Sequence, residues 1–147
     1  MLRIPQTLYN ELRVHGEEIY PNECCGILLG RVLNETNLVE RILRTGNTCT
    51  DSAHNRYNIA PQEILQAQKL GRELGLDIVG FYHSHPDHPA QWSATDLAEA
   101  HWLGCSYIIT AVAEGHATLT NSFRLGGQSE ELKQFSPESI ILLPHLY

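Results

Sequence analysis

Apolar positions recur along the chain at two spacings. In "PQTLYNELRVHGEEI" (5–19), Leu8, Leu12 and Ile19 fall at roughly helical intervals; Pro5 suits the first turn and Pro21 ends the helix. "CCGILLGRVL" (24–33) is an apolar run that predicts a buried strand. "TNLVERILRTGN" (36–47) alternates enough for a second strand, paired to the first as a hairpin through the Asn34 region. "DSAHN" (51–55) reads as a loop and "RYNI" (56–59) as a short strand. A second helix is expected over "PQEILQAQKLGRELG" (61–75), with Pro61 at its start, Ile64, Leu65 and Leu74 as its apolar face and Gly75 as its C-cap. Then come a strand "LDIVGFYHSH" (76–85), a loop "PDHPAQW" (86–92), a helix "SATDLAEAHWLG" (93–104) and a core strand "SYIITAVAE" (106–114). "HATLTNSFRL" (116–125) is its antiparallel neighbour across Glu114–Gly115, and the tail "ESIILLPHLY" (138–147) carries one more apolar segment. This interleaving predicts a mixed α/β or α+β domain, a central sheet with helices packed on it, and leaves the strand order open. No repeat or linker divides the 147 residues, so a single domain over 1–147 is expected.

Composition narrows the function. Hydrophobic residues make up 42% of the chain, enough for a core, and no apolar stretch approaches the roughly 18–20 residues of a membrane span. "MLRIPQTLYNEL" has no signal-type apolar centre, so the expectation is a cytoplasmic protein. A net charge of −7 without any Lys/Arg cluster argues against nucleic acid and anionic membranes as partners. Cys24, Cys25, Cys49 and Cys105 form no Cys-x-x-Cys pair, which argues against a structural zinc site and for reduced, mostly buried thiols. Whether the chain self-associates is not written in any of these patterns.

The densest chemistry lies in "GFYHSHPDHPAQWSATDL", residues 80 to 97. On a strand, His83 and His85 point to the same face. A bare His-x-His is more often two ordinary strand-end histidines than a metal site. Asp96 opens the second reading. A carboxylate in the first turn of the next helix could return over the strand end, behind a loop stiffened by Pro86 and Pro89. Ser93-x-x-Asp96 is equally a capping box, and an acid in a first turn suits the helix dipole without any metal. Two His and one Asp would leave zinc an open fourth position for water. Glu23, at the mouth of the buried strand 24–33, is either the base such chemistry needs or a solvated acid; spacing does not choose between them.

Taken together, "PNECCGILLG", "GFYHSHP" and "SATD" resemble the JAMM (MPN-plus, JAB-domain) metallopeptidases: a distant Glu, then His-x-His-Pro, a short loop and Ser-x-x-Asp, across at least residues 17 to 113. The resemblance implies a curved mixed sheet flanked by helices, akin to cytidine deaminases. It implies one zinc ion per chain on His83, His85 and Asp96. Glu23 would act as general base on the zinc-bound water and pass the proton to the leaving amine, and Ser93 would donate to the developing oxyanion. It also implies a substrate class, the amide or isopeptide bond after the C-terminal Gly-Gly of ubiquitin-like proteins. Compact bacterial members act on small sulfur carriers. Only 59 residues separate Glu23 from His83 (83 − 23 − 1) and 51 follow Asp96 (147 − 96), which leaves little room for the insertions of linkage-specific members. Deamination is disfavoured, because neither His-x-Glu nor Pro-Cys-x-x-Cys occurs.

The competing class is a non-catalytic scaffold, as in members of the wider superfamily that lack the ligands. His88 reads as an exposed loop histidine, Trp92 and Trp102 as packing residues, and "RLGG" (124–127) as a strand end and turn. An extended Gly-Gly tail is expected to add to a sheet edge beside the His83–His85 strand end, under the loop from Pro86 to Trp92.

Overall fold

A computed structural model describes residues 1–144. It contains β1 (Leu2–Pro5), α1 (Gln6–Ile19), β2 (Cys25–Leu33), β3 (Thr36–Thr45), α2 (Pro61–Leu74), β4 (Asp77–Pro86), α3 (Ala94–Glu99), β5 (Ser106–Ala113), β6 (His116–Gly126), β7 (Gln134–Glu138) and β8 (Ile140–Leu143). The class is the expected mixed α/β. The strands form one mixed sheet in the order β7-β6-β5-β4-β2-β3-β1-β8. β7 and β8 stand at opposite ends of that order, yet only Ser139 separates them. The sheet must therefore curl until its two edges meet, and Leu2 N–H donates to the Ser139 carbonyl at the seam (2.8 Å).

Helices cover both faces. α1 packs through Leu12, with Leu8 and Tyr9, on a cluster holding Leu28, Val39, Val79, Tyr82 and Ile108. α2 covers the other face, where Ile27, Leu29, Phe81, Tyr107, Ile109 and Phe123 are buried. Gly26 leaves room for the Tyr82 ring of β4 to lie across β2. A Cβ there would lie 2.1 Å from the Tyr82 ring, which crosses it to reach His15 of α1, with Nδ1 and the hydroxyl 2.8 Å apart.

Several expectations are corrected. Ile19, Leu65 and Leu74 are exposed. α2 instead buries Ala67 and Gly71, because the chain folds straight back over it: a Cβ on Gly71 would meet the Leu76 carbonyl at 2.6 Å. Gly75 is the C-cap as expected, at φ 70°. Residues 56–59 form no strand. Their backbone bonds to Asn47 instead, which accepts from Asn58 N–H (3.1 Å) and donates to the Arg56 carbonyl (2.9 Å), local pairing in place of a ladder. α3 stops at Glu99 and does not run to residue 104. The carbonyls of Ala98 and Ala100 accept from Lys133, and the Trp102 N–H donates to the Tyr107 hydroxyl. The short β1 and β7 were not foreseen; β7 contains Pro137, which an edge strand tolerates. Of the apolar tail, 140–143 forms β8, and 145–147 lie outside the described residues.

β4 and β5 run parallel, which requires a crossover, and α3 supplies it. The chain leaving the carboxyl end of β4 thus passes over the strand end before it returns, the position where open α/β sheets hold ligands.

Candidate metal centre

β2 and β4 are antiparallel neighbours, with Cys25 opposite His83. The odd residues of β4 from Phe81 to His85 face the α2 side, and Glu23, two before Cys25, extends the same row on β2. The ladder continues past the last regular pair. Ser84 N–H donates to the Cys24 carbonyl (3.2 Å), and the Ser84 hydroxyl accepts from Cys24 N–H (2.8 Å). Glu23 is held by its own backbone as well: its N–H donates to the Ala53 carbonyl (2.6 Å), and its carbonyl accepts from Asn47 (3.3 Å). Glu23, His83 and His85 are consequently 4%, 2% and 7% exposed, and atoms from all three lie within 4.8 Å of one another.

Asp96 arrives from the opposite side. Ser93 caps α3, accepting from Asp96 N–H (3.0 Å) while its own N–H donates to Asp96 Oδ2 (2.9 Å). This is the capping box read in the sequence, with Asp in the place of the usual Glu. The same carboxylate reaches the histidines. Oδ2 lies 3.1 Å from His85 Nε2 and Oδ1 3.3 Å from His83 Nε2, while the two Nε2 atoms are 3.1 Å apart. One carboxylate therefore both closes the cap and meets the two histidines.

Those three separations test whether zinc fits. With ligand bonds of about 2.0–2.1 Å, two corners of a tetrahedron lie roughly 3.3 Å apart. The two Nε2 atoms, 3.1 Å apart, match two such corners, and each has a different Asp96 oxygen at a like separation, Oδ2 at 3.1 Å from His85 and Oδ1 at 3.3 Å from His83, which puts the carboxylate at the third. The tautomer of His85 agrees. Its Nδ1 is 2.9 Å from the Pro89 carbonyl, which can only accept, so Nδ1 carries the proton and Nε2 presents its lone pair. His83 is oriented differently. Its Nδ1 has no hydrogen-bond partner, and its ring is fixed by Tyr57 stacked at 4.3 Å and 22°.

The charges are strongly shifted. Burial pushes the Glu23 carboxyl up to about 8, against the opposing pull of His85. Burial would also raise Asp96, but the His83 and His85 imidazoles beside it and the bond from Ser93 N–H hold it well below the usual carboxylate range. Burial lowers His83. Glu23 Oε1 is buried and without a partner. Beside it opens a cavity of about 350 Å³ lined by Glu23, Asn55, His85, His88, Pro89, Gln91 and Ser93.

The fold thus brings all five candidates to one place. Glu99 is paired with Arg56. Asp87 bonds the Tyr20 hydroxyl and Glu114 N–H. Trp92 lies against Phe135, and His88 is an exposed member of the cavity wall. All four cysteines are free, three of them buried. One expectation is corrected. β4 lies in the interior of the sheet, paired to β2 through His83 and to β5 through Pro86, so it offers a peptide no free edge. Tyr57, Ser84 and Asn47 escaped the sequence reading. A hydroxyl between two candidate ligands was the available signal for Ser84; Asn47 and Tyr57 lie in stretches read as strands, where no motif marks them.

The profile of prokaryotic homologs of the JAB domain matches residues 5–126. Over 102 residues the chain is 34% identical to a Thermus thermophilus protein named "Probable TtuB-protein conjugate cleaving protease", covering 69% of this chain and 65% of that protein. It is also 34% identical over 89 residues to "Desampylase" of Haloferax volcanii, 60% of this chain and 62% of the relative. The chain therefore spans just under two thirds of the length of these two relatives. The solution structure of a protein from Desulfitobacterium hafniense superposes with a TM-score of 0.84 at 29% identity, covering 99% of this chain and 95% of the other. Among the described residues no helix is long and apolar enough to cross a membrane.

Proposed function

The chain belongs to the family of prokaryotic homologs of the JAB domain, and from that premise we propose that it is a zinc-dependent peptidase or isopeptidase. Its substrate would be the amide bond after the C-terminal Gly-Gly of a ubiquitin-like, sulfur-carrier-type protein. The carrying observation is the triangle of His83 Nε2, His85 Nε2 and Asp96 carboxylate, of zinc-ligand dimensions, with the buried, unpartnered Glu23 Oε1 beside it. The names of two relatives, a conjugate cleaving protease and a desampylase, support the reaction class.

His83, His85 and Asp96 would hold the ion, which in an open three-ligand site supplies a nucleophile of hydroxide strength at neutral pH and polarises the scissile carbonyl. Glu23 takes the proton of the attacking water at Oε1. As the C–O bond forms and the C–N bond breaks, it delivers that proton to the leaving amine. Its Oε1 is buried and without a hydrogen-bond partner, so an acceptor position is open to the water. Ser93 can serve twice. Its oxygen accepts from Asp96 N–H, which leaves its own proton free for the oxyanion. The small cavity favours a tail without side chains, and glycine lets the backbone pass close to the histidines.

The test is kcat/KM on matched ubiquitin-like fusions ending in Gly-Gly or Gly-Leu before the scissile bond. At least tenfold faster cleavage of the Gly-Gly fusion is expected, about 1.4 kcal/mol of transition-state binding. Equal rates would remove the tail specificity. A zinc-loaded chain that cleaves neither fusion would favour the scaffold reading.

A further inference from the structure

α3 is six residues long, shorter than a helix that is stable alone, and none of its residues is buried. It nevertheless has to hold Asp96 against two histidines fixed in the sheet. Its apolar anchorage is slight: Leu97 rests, partly buried, on the α2-side cluster. Its N-terminus is closed by the Ser93–Asp96 box, which shares the very carboxylate that must be held in place.

The C-terminal end is held from elsewhere. Lys133, in the turn before β7, sends its ammonium to the Ala98 carbonyl (3.1 Å), the Ala100 carbonyl (2.8 Å) and Glu130 Oε2 (2.7 Å). An ammonium has three donors, and all three are used. Its side chain is only 7% exposed, uncommon for a lysine, whereas Glu130 is 62% exposed. Glu130 also bonds His101 Nδ1 (2.7 Å), just past α3. A cation at the last carbonyls of a helix complements its dipole as well.

We propose that Lys133 is a positioning residue for Asp96, clamping the C-terminal end of α3 to the strand at the sheet's far edge so that the carboxylate stays at ligand distance from His83 and His85. The inference rests on the zinc reading above. It assigns Lys133 no contact with substrate or metal.

The experiment compares Lys133→Met and Lys133→Arg with wild type in three readouts. These are zinc affinity by chelator competition, the visible spectrum of the cobalt(II) form, and amide exchange in metal-free protein. Lys133→Met should bind zinc at least tenfold more weakly, within the about 10–100-fold range typical of lost outer partners. Its cobalt spectrum should change, and the amides of residues 97–100 should exchange faster while those of β4 do not. Lys133→Arg, which can still donate to both carbonyls, should remain within about threefold of wild-type zinc affinity. Glu130→Gln, far out in solvent, should show a smaller loss in the same direction and covers the case that Lys133→Met does not fold. Wild-type zinc affinity and an unchanged cobalt spectrum in Lys133→Met would overturn the proposal, even with a lower melting temperature, because Lys133 would then serve stability alone. A wild-type chain that takes up no zinc would instead bring down the proposed function, and the exchange data would still decide whether Lys133 anchors α3.

Discussion

The two sides of the candidate metal centre are built on different principles. His83 and His85 lie on β4, deep in an eight-stranded sheet, and Glu23 just before β2; the β2–β4 ladder and the Ser84–Cys24 bonds fix the strands, and bonds to Ala53 and Asn47 fix the Glu23 backbone. Ser93 and Asp96 ride on a six-residue helix held by a capping box, the Arg56–Glu99 pair and the Lys133 ammonium. A side chain placed by a ladder needs little support from other side chains, whereas one on a short crossover depends on each of its clamps. Substitutions around the sheet side should therefore act chiefly through the substituted group. Those around α3 should act at a distance.

Removing a sheet-borne ligand should have the largest effect. His83→Ala is expected to weaken zinc binding by more than the roughly 100-fold upper end for losing an outer partner, with the fold intact, as read by chelator competition alongside circular dichroism. Full zinc retention would show that His83 is not a ligand. On the helix side, Ser93→Ala should lower kcat by about 10²–10³ through the lost oxyanion donor and also cost about 1 kcal/mol of stability through the lost cap. Ser93→Thr should recover most of both. An alanine variant that loses stability alone would leave Ser93 as a cap and nothing more.

Tyr57→Leu probes what replaces a hydrogen bond at His83. Loss of the stacked ring should weaken zinc about tenfold, the low end for an outer partner, and leave metal-free stability nearly unchanged. An unchanged affinity would mean that β4 alone orients His83.

The smallest effect at neutral pH belongs to the opposite face of β4. His15, buried against Tyr82, has its pKa lowered to about 4 by burial and by Arg44, against the opposing charge of Glu18. The unfolded chain binds this proton more readily. Stability should therefore fall as pH drops below about 6.5, by on the order of 2 kcal/mol at pH 5, and the loss is complete below about 4. His15→Gln should flatten that part of the stability–pH curve without touching zinc affinity.

The same contrast governs what could be read from the sequence. β2, β4 and β5 carry apolar runs because both faces of the sheet are covered there, and such runs stand out. Spacing expressed only the local patterns, His-x-His on a strand and Ser-x-x-Asp at a helix start; Glu23, and the roles of all five candidates, were legible through the resemblance to the JAMM metallopeptidases. β4's place in the interior was not legible, since strand order is set by non-local pairing; hence the mistaken sheet edge for the substrate. Residues 56–59 were misread because apolar and polar residues alternate there, while Asn47 and Thr48 take the hydrogen bonds a strand would have used. Lys133 lies 37 positions beyond Asp96 (133 − 96), in a turn whose composition resembles any solvated loop.

The central claim is that Glu23 moves a proton and does not hold the metal, and Glu23→Gln tests it most directly. Gln keeps the shape of the side chain but cannot accept a proton as carboxylate does. Zinc content and kcat/KM on a Gly-Gly fusion should be measured on the same preparation. The account predicts one zinc per chain, as in wild type, with hydrolysis reduced at least 10²-fold, the low end for a general base. A variant that loses its zinc would make Glu23 a ligand, and one that keeps wild-type activity would leave the proton transfer to another group.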